Sequence, residues 1–134
     1  MKMERSKSVY EYYVCPECFR RIDECKCDYY PPWMLINIDI GIQEHIQTLN
    51  DKGYKTISCC ESHFDGNHRM YISFNRDFEL GKLPDGFKYE PKKHSVYFDI
   101  SHKLTEPKFY AVKTGKITEL LEWCQNLPDL KGGN

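Results

Sequence analysis

The chain has 134 residues, with 19 basic and 20 acidic side chains and a formal net charge of -1. A chain of this length builds about one hydrophobic core, so its size excludes a large multidomain enzyme. The even charge balance removes the simplest argument for nonspecific nucleic-acid binding, which needs a concentrated basic face. No segment approaches the ~20 consecutive apolar residues of a membrane-spanning helix. We therefore expect one small domain that does not span a membrane.

Cysteine dominates the N-terminal part of the chain. Four of the seven cysteines form a Cys-x-x-Cys pair, Cys15 and Cys18, and a Cys-x-Cys pair, Cys25 and Cys27. The sequence has no recognisable secretory signal, so we expect a reducing cytoplasm, where clustered thiols bind metal rather than form disulfides. Four thiolates from two tight turns suit a structural zinc ion with a closed coordination sphere. An iron-sulfur cluster and a redox dithiol are the alternatives.

A boundary is predicted behind the cysteines, where Pro31 and Pro32 make a stiff connection. Residues 1–32 are expected to form a zinc-binding hairpin module with a strand at 9–14. Residues 33–134 are expected to form a second, larger unit. Aromatic and cationic side chains near the cysteines would suit nucleic-acid contacts. The simpler alternative is that they are solvent-exposed side chains of the hairpin with no binding role. These side chains are Phe19, Arg20, Arg21, Tyr29 and Tyr30.

Hydrophobic periodicity predicts the elements of the larger unit. In chain order they are a strand at 35–38, a helix over about 40–52, strands at 54–60, 69–74 and 95–100, a short strand or irregular edge at 109–112, and a helix over about 116–126. Asp39 and Thr114 are candidate N-caps for the two helices, and Gly53 suits the end of the first. Helices and strands mix without regular βαβ repetition. This predicts an α+β fold with a small mixed, mostly antiparallel sheet and two helices.

The apolar positions of these elements predict one core between the helices and one face of the sheet. Its expected members are Ile42, Ile46, Leu49, Ile57, Met70, Ile72, Phe74, Val96, Phe98, Ile100, Leu120 and Leu121. Cys124 continues the apolar stripe of the last helix and is predicted to be a small core residue. His45 is predicted to lie on the surface of the first helix.

The connection between the second and third strands of the larger unit concentrates reactive side chains. Cys59 and Cys60 point to opposite faces of a strand, so one of them can join His63 while the other packs in the core. His68 returns toward His63 if the strands form a short hairpin. We predict that Cys60, Glu61, His63 and His68 converge as a ligand-binding surface, with metal binding as one use of it. A buried strand end followed by a polar turn is the alternative.

The same stretch resembles a known family. A helix ending in Gly53-Tyr54, a strand ending in Cys59-Cys60-Glu61-Ser62-His63 and the strand Tyr71-Ile72-Ser73-Phe74 resemble the TYW3-like family over residues 40–75. Wybutosine-synthesis members of this family have a strand ending in Ser-Ser-Cys-Ser-Gly-Arg. The stretch is also similar to small bacterial and phage proteins with a Cys-Cys-x-Gly-His variant. The resemblance implies a tRNA methyltransferase that uses S-adenosylmethionine, with Cys60 and its neighbours at a ligand site.

Three functions follow from these patterns. The first is a zinc-stabilised binding protein for RNA, a nucleotide or a related anionic ligand. The second is a phage-type inhibitor or adaptor, which would bind another protein and share the same zinc module. The third is the methyltransferase that the family resemblance implies. We rank them in this order. The zinc module, the ten tyrosines and the candidate ligand loop fit both of the first two functions. The methyltransferase comes last, because the sequence has no glycine-rich loop that would indicate an independent cofactor fold.

Overall fold

The computed structural model describes residues 11–21, 23–27 and 36–131. The predicted boundary at residue 32 and the tyrosines Tyr29 and Tyr30 lie outside the described residues. The predicted strand at 9–14 is seen over its described part, 11–14.

The described residues form six strands and two α-helices. They are β1 Glu11–Val14, β2 Ile36–Asp39, α1 Gln43–Asp51, β3 Thr56–Cys60, β4 Arg69–Phe74, β5 Lys88–Glu90, β6 Ser95–Asp99 and α2 Glu106–Asn126. The strands β1 and β2 form an antiparallel pair, and the other four form an antiparallel sheet in the order β3-β4-β6-β5. The predicted α+β fold with two helices is confirmed.

One face of the four-stranded sheet forms the hydrophobic core together with the helices. In β4, alternation points Met70, Ile72 and Phe74 into this core, and each is at most 1% exposed. The predicted core positions that are buried are Ile42, Ile46, Leu49, Met70, Ile72, Phe74, Val96, Ile100 and Leu120. Phe98 and Leu121 are half-buried. Most of the predicted core is therefore confirmed.

Ile57 was wrongly predicted to be a core residue, because it is 64% exposed. The register of β3 against β4 shifts between Thr56 and Ser58, which marks a β-bulge at Ile57. A bulge inserts one extra residue and reverses the alternation on one side of it. Counting back from Cys59, simple alternation would point Ile57 toward the core. Because of the bulge, Thr56 lies there instead and is buried.

The last helix begins ten residues earlier than predicted. Residues 109–112 belong to α2 and are neither a strand nor an edge, and Thr114 lies inside the helix instead of capping it. Thr105 is the N-cap residue, and the helix has proline in its first turn, where the missing N–H costs nothing. Phe109 is fully buried on the same helix as Leu120 and Cys124.

The first helix shows two further corrections. Asp39 makes no side-chain cap bond, and a short 3-10 turn, Ile40–Ile42, separates it from α1. His45 is buried rather than exposed, with Nε2 2.8 Å from the carbonyl oxygen of Ile117 in α2. Burial lowers the pKa of His45, so the neutral imidazole joins the two helices. Gly53 ends this segment with a φ of 101°, as expected for a glycine after a helix.

A matched pair of substitutions tests the core and the bulge. Ile46→Ala should lower the free energy of unfolding by about 2–5 kcal/mol, because it empties a fully buried site. Ile57→Ala should change it by less than about 1 kcal/mol, because that side chain already faces solvent. Urea denaturation followed by circular dichroism measures both values. Equal losses would show that the bulge is placed wrongly.

Candidate functional site

The four N-terminal cysteines lie together. The sulfur atoms of Cys15, Cys18, Cys25 and Cys27 are all within 4.8 Å of one another, so they could hold a metal ion. Cys15 is buried and the other three are half-buried. Burial raises the pKa of Cys15, so a bound cation would be needed to stabilise its thiolate.

Backbone amides support these sulfur atoms. The N–H of Glu17 donates to Cys15 Sγ over 3.3 Å, and the N–H of Cys27 donates to Cys25 Sγ over 3.2 Å. In each case the donor N–H lies two residues after the cysteine. A tight turn of this kind points the sulfur atom toward a shared ion. Four soft donors in this arrangement fit a closed tetrahedral metal site.

The cysteine cluster docks on the rest of the protein. Val14 and Phe19 are buried in the same hydrophobic cluster as the helices and the sheet. The carbonyl oxygen of Phe19 accepts a hydrogen bond from Gln43 Nε2 over 3.1 Å, and Arg20 pairs with Asp51 at the other end of α1. Residues beside the cysteines therefore hold the β1 end of the chain against α1.

A second group of side chains that could bind a metal ion lies where β2 and β3 end. Asp39, Cys60 and His63 each offer one ligand atom, and these atoms are within 4.8 Å of one another. His63 Nε2 is 3.0 Å from Asp39 Oδ2, and the same oxygen accepts the N–H of Glu61 over 2.9 Å. Asp39 is buried and His63 half-buried. Cys59 packs against the core, as expected for the cysteine on the opposite face from Cys60.

Glu61 does not offer its carboxylate to this group. Its Oε2 pairs with Lys113 Nζ of α2 over 2.9 Å, and both side chains are nearly buried, with 6% and 11% exposure. Its Oε1 accepts the N–H of Gly41 over 2.6 Å. A Cβ atom at Gly41 would lie 2.5 Å from this oxygen, so glycine is needed for the close approach. Glu61 therefore fixes the positions of α2 and of the turn after β2.

His68 also lies away from the Asp39 group. It is buried, with Nδ1 3.3 Å from the carbonyl oxygen of Ile100 and Nε2 2.9 Å from that of Phe64. Its ring stacks on His102 with a centroid separation of 3.9 Å. Of the four residues predicted to converge, the structure thus brings Cys60 and His63 together with Asp39, while Glu61 and His68 contact other groups.

The face of the sheet opposite the core is polar. Cys60, Tyr71 and Tyr97 are direct cross-strand neighbours on β3, β4 and β6, and they form a row across this face. The Arg69 guanidinium stacks 3.9 Å above the Tyr97 ring and also pairs with Asp99. We call this surface the open face.

A groove of about 320 Å³ lies on the open face. Among the residues that line it are Ser58, Arg69, Tyr71, Ser73, Lys93 and Ser95. Hydroxyl groups, one guanidinium and one ammonium therefore line the groove together with the Tyr71 ring, and Asn67 and Glu90 add an amide and a carboxylate. This composition can donate and accept hydrogen bonds and can also stack on a planar ligand.

Sequence reasoning missed several of these positions. Asp39 was interpreted only as a helix cap, and Lys113 carried no signal, because its partner Glu61 is 52 residues away. For Tyr71 and Tyr97 a signal was present. Both alternate with apolar residues in predicted strands, which places them on the face away from the core.

Comparison with known proteins gives no relative. No protein-family model matches the chain, and no curated protein and no solved structure is significantly similar to it. The resemblance of residues 40–75 to the TYW3-like family therefore stays a prediction. In the described part of the chain, neither helix combines the length and apolar character needed to cross a bilayer.

The buried pair between Glu61 and Lys113 gives a prediction for stability. Lys113→Met should lower the free energy of unfolding by about 3 kcal/mol, because it leaves a buried carboxylate without its cation. Chemical denaturation at neutral pH measures the loss.

Lys116→Met is the matched control on the same helix. Lys116 pairs over 3.2 Å with Glu119, whose side chain is 45% exposed. The Lys116 side chain is 16% exposed, but its removal leaves behind an exposed carboxylate and not a buried one. This loss should therefore be the smaller of the two, at about 1 kcal/mol. A loss for Lys113→Met no larger than that of the control would contradict the assigned role of Glu61.

Proposed function

We propose that the protein is a zinc-stabilised binding protein whose open face takes a ligand with nucleobases, single-stranded RNA foremost. The observation that carries this proposal is the row formed by Tyr71 and Tyr97 on neighbouring strands of a sheet whose other face is the core. Sheets that bind single-stranded RNA stack bases on aromatic side chains in this arrangement.

The groove beside these tyrosines supports the same ligand. Base stacking needs exposed ring faces, and Arg guanidinium planes serve as further stacking surfaces. The Tyr71 ring lines the groove, and the Arg69 guanidinium, which covers one face of the Tyr97 ring, supplies such a plane. Serine hydroxyls in the groove suit the polar edges of bases and the 2′-hydroxyl of ribose. Lys93 and Arg69 supply two positive charges for phosphate against the one negative charge of Glu90 in the same groove.

Zinc at the four N-terminal cysteines has a structural role in this proposal. Four thiolate ligands leave no position for a substrate, so this ion would stabilise the fold rather than carry chemistry. It would hold β1 and its partner strand β2 against α1. Asp39, at the end of β2, is thereby kept beside the loop that follows β3.

Single-stranded RNA binding should depend on the two tyrosines. Removing a stacking ring costs about 1–3 kcal/mol per base, so Tyr71→Ala or Tyr97→Ala should weaken binding roughly 5- to 150-fold. Tyr71→Phe should retain most of the affinity, because the ring is kept. Fluorescence anisotropy with labelled ten-nucleotide RNAs of mixed sequence measures these dissociation constants, and competition with free nucleotides distinguishes RNA from a mononucleotide ligand.

The control for this experiment is Tyr110→Ala. Tyr110 is an exposed tyrosine on α2, in the layer that covers the opposite face of the sheet, so its removal should leave RNA binding unchanged. Absence of binding at ~100 μM protein, or equal weakening by the control, would overturn the proposal. The adaptor function would then be favoured.

Zinc content should depend on the cysteine cluster. The double variant Cys15→Ser, Cys25→Ser should contain one zinc equivalent less than the wild type and should melt at a lower temperature, because metal binding is coupled to folding. Cys124→Ala should keep its zinc, because that buried cysteine lies on α2. Elemental analysis of dialysed protein measures the metal. Unchanged zinc in the double variant would reject these ligands.

A further inference from the structure

The end of β3 repeats a feature of the cysteine cluster. The N–H of Ser62 donates to Cys60 Sγ over 3.3 Å. The donor again follows the sulfur by two residues, as at Cys15 and Cys25, where the distances are 3.3 and 3.2 Å. Ser62 has a φ of 82°, and this left-handed conformation turns the chain sharply between Cys60 and His63. Cys60 thus accepts the same backbone contact as Cys15 and Cys25.

The remaining ligand comes from a different strand. Asp39 ends β2, and its buried carboxylate lies against His63 with the Nε2 to Oδ2 distance of 3.0 Å. The ligand atoms of Asp39, Cys60 and His63 lie within 4.8 Å of one another, close enough to surround one ion. Lys113, a cation of α2, pairs with Glu61 and not with this group.

We propose that Asp39, Cys60 and His63 bind a second divalent metal ion, with zinc as the expected occupant. One carboxylate oxygen, one thiolate and one imidazole nitrogen are ligands that zinc accepts in proteins. The N–H of Glu61, which donates to Asp39, is an outer contact that orients the carboxylate. This inference goes beyond the proposed function, since it assigns a site and does not depend on RNA binding.

The second site differs from the first in its chemistry. Three protein ligands leave one tetrahedral position open for water or for an oxygen of a bound ligand, as in catalytic zinc sites. Because Cys60 continues the row of Tyr71 and Tyr97, the proposed site lies at the edge of the open face. A phosphate or hydroxyl oxygen of a ligand on that face is the chemistry that suits it.

Counting metal ions on the whole protein tests the inference. The protein is saturated with zinc, passed through a desalting column and measured by native mass spectrometry in the absence of RNA. The wild type should hold two zinc ions, and His63→Ala and Cys60→Ser should each hold one. Thermal melting of every variant checks that the fold is kept, and His63→Gln replaces His63→Ala if the latter unfolds.

His94→Ala is the matched control. His94 contacts Asp77 over 3.1 Å, so it reproduces the pairing of an imidazole with a carboxylate. Among the described residues, this pair has no third metal-binding side chain close enough to share an ion. This variant should keep both ions. The double variant Cys15→Ser, Cys25→Ser should lose one and retain the ion at His63.

Two results would overturn the inference. One is a single zinc ion on the saturated wild type. The other is two ions on a folded His63 variant. Cobalt substitution gives an independent check, because the absorption bands of a site with one thiolate should disappear in Cys60→Ser while those of the four-cysteine site remain. If the wild type holds two zinc ions but does not bind RNA, the proposed function is contradicted and the second metal site is not.

Discussion

A buried chain of polar contacts from Asp39 through Glu61 to Lys113 joins the main parts of this fold. The Asp39 carboxylate accepts a hydrogen bond from the N–H of Glu61. The Glu61 carboxylate in turn pairs with Lys113 and accepts a hydrogen bond from the N–H of Gly41. These contacts link the end of β2, the end of β3 and the middle of α2. Because buried charges are costly unless all partners are in place, the chain permits little variation in the position of the loop after β3.

This constraint relates the two candidate metal sites to each other. Phe19 and Arg20, beside the cysteines, contact α1. The strand β1 pairs with β2 from Glu11 opposite Asp39 to Val14 opposite Ile36. Asp39 is therefore positioned from two sides, by the strand that leads from the cysteine cluster and by the loop that carries His63. The strand pair thus connects the cysteine cluster with the proposed second site, which would lie where the open face begins.

The sequence predicted well what depends on local patterns. The strand at 69–74 has its predicted bounds, because alternation of apolar and polar residues is bounded by turns on both sides. The start of α2 was missed, because Phe109, Tyr110 and Val112 are residues common in strands. Thr105 and the proline in the first turn were the available start signal. The bulge at Ile57 depends on pairing with β4 and leaves no local pattern.

The candidate site was harder to predict than the fold. Spacing identified the four-cysteine cluster, because its ligands are close in sequence. The second group needs Asp39, which lies 24 residues before His63 and contacts it only because β2 ends beside the loop. Glu61 was expected in the ligand site, but its partner on α2 could be found only from the tertiary structure. Contacts of this range depend on how the elements pack, which hydrophobic periodicity does not specify.

The most direct test of the account is a crystal structure of the zinc-saturated protein with diffraction data collected on both sides of the zinc absorption edge. The difference between the two data sets should show two anomalous peaks, one among Cys15, Cys18, Cys25 and Cys27 and one among Asp39, Cys60 and His63. A single peak at the four cysteines, with His63 hydrogen-bonded directly to Asp39, would contradict the second metal site.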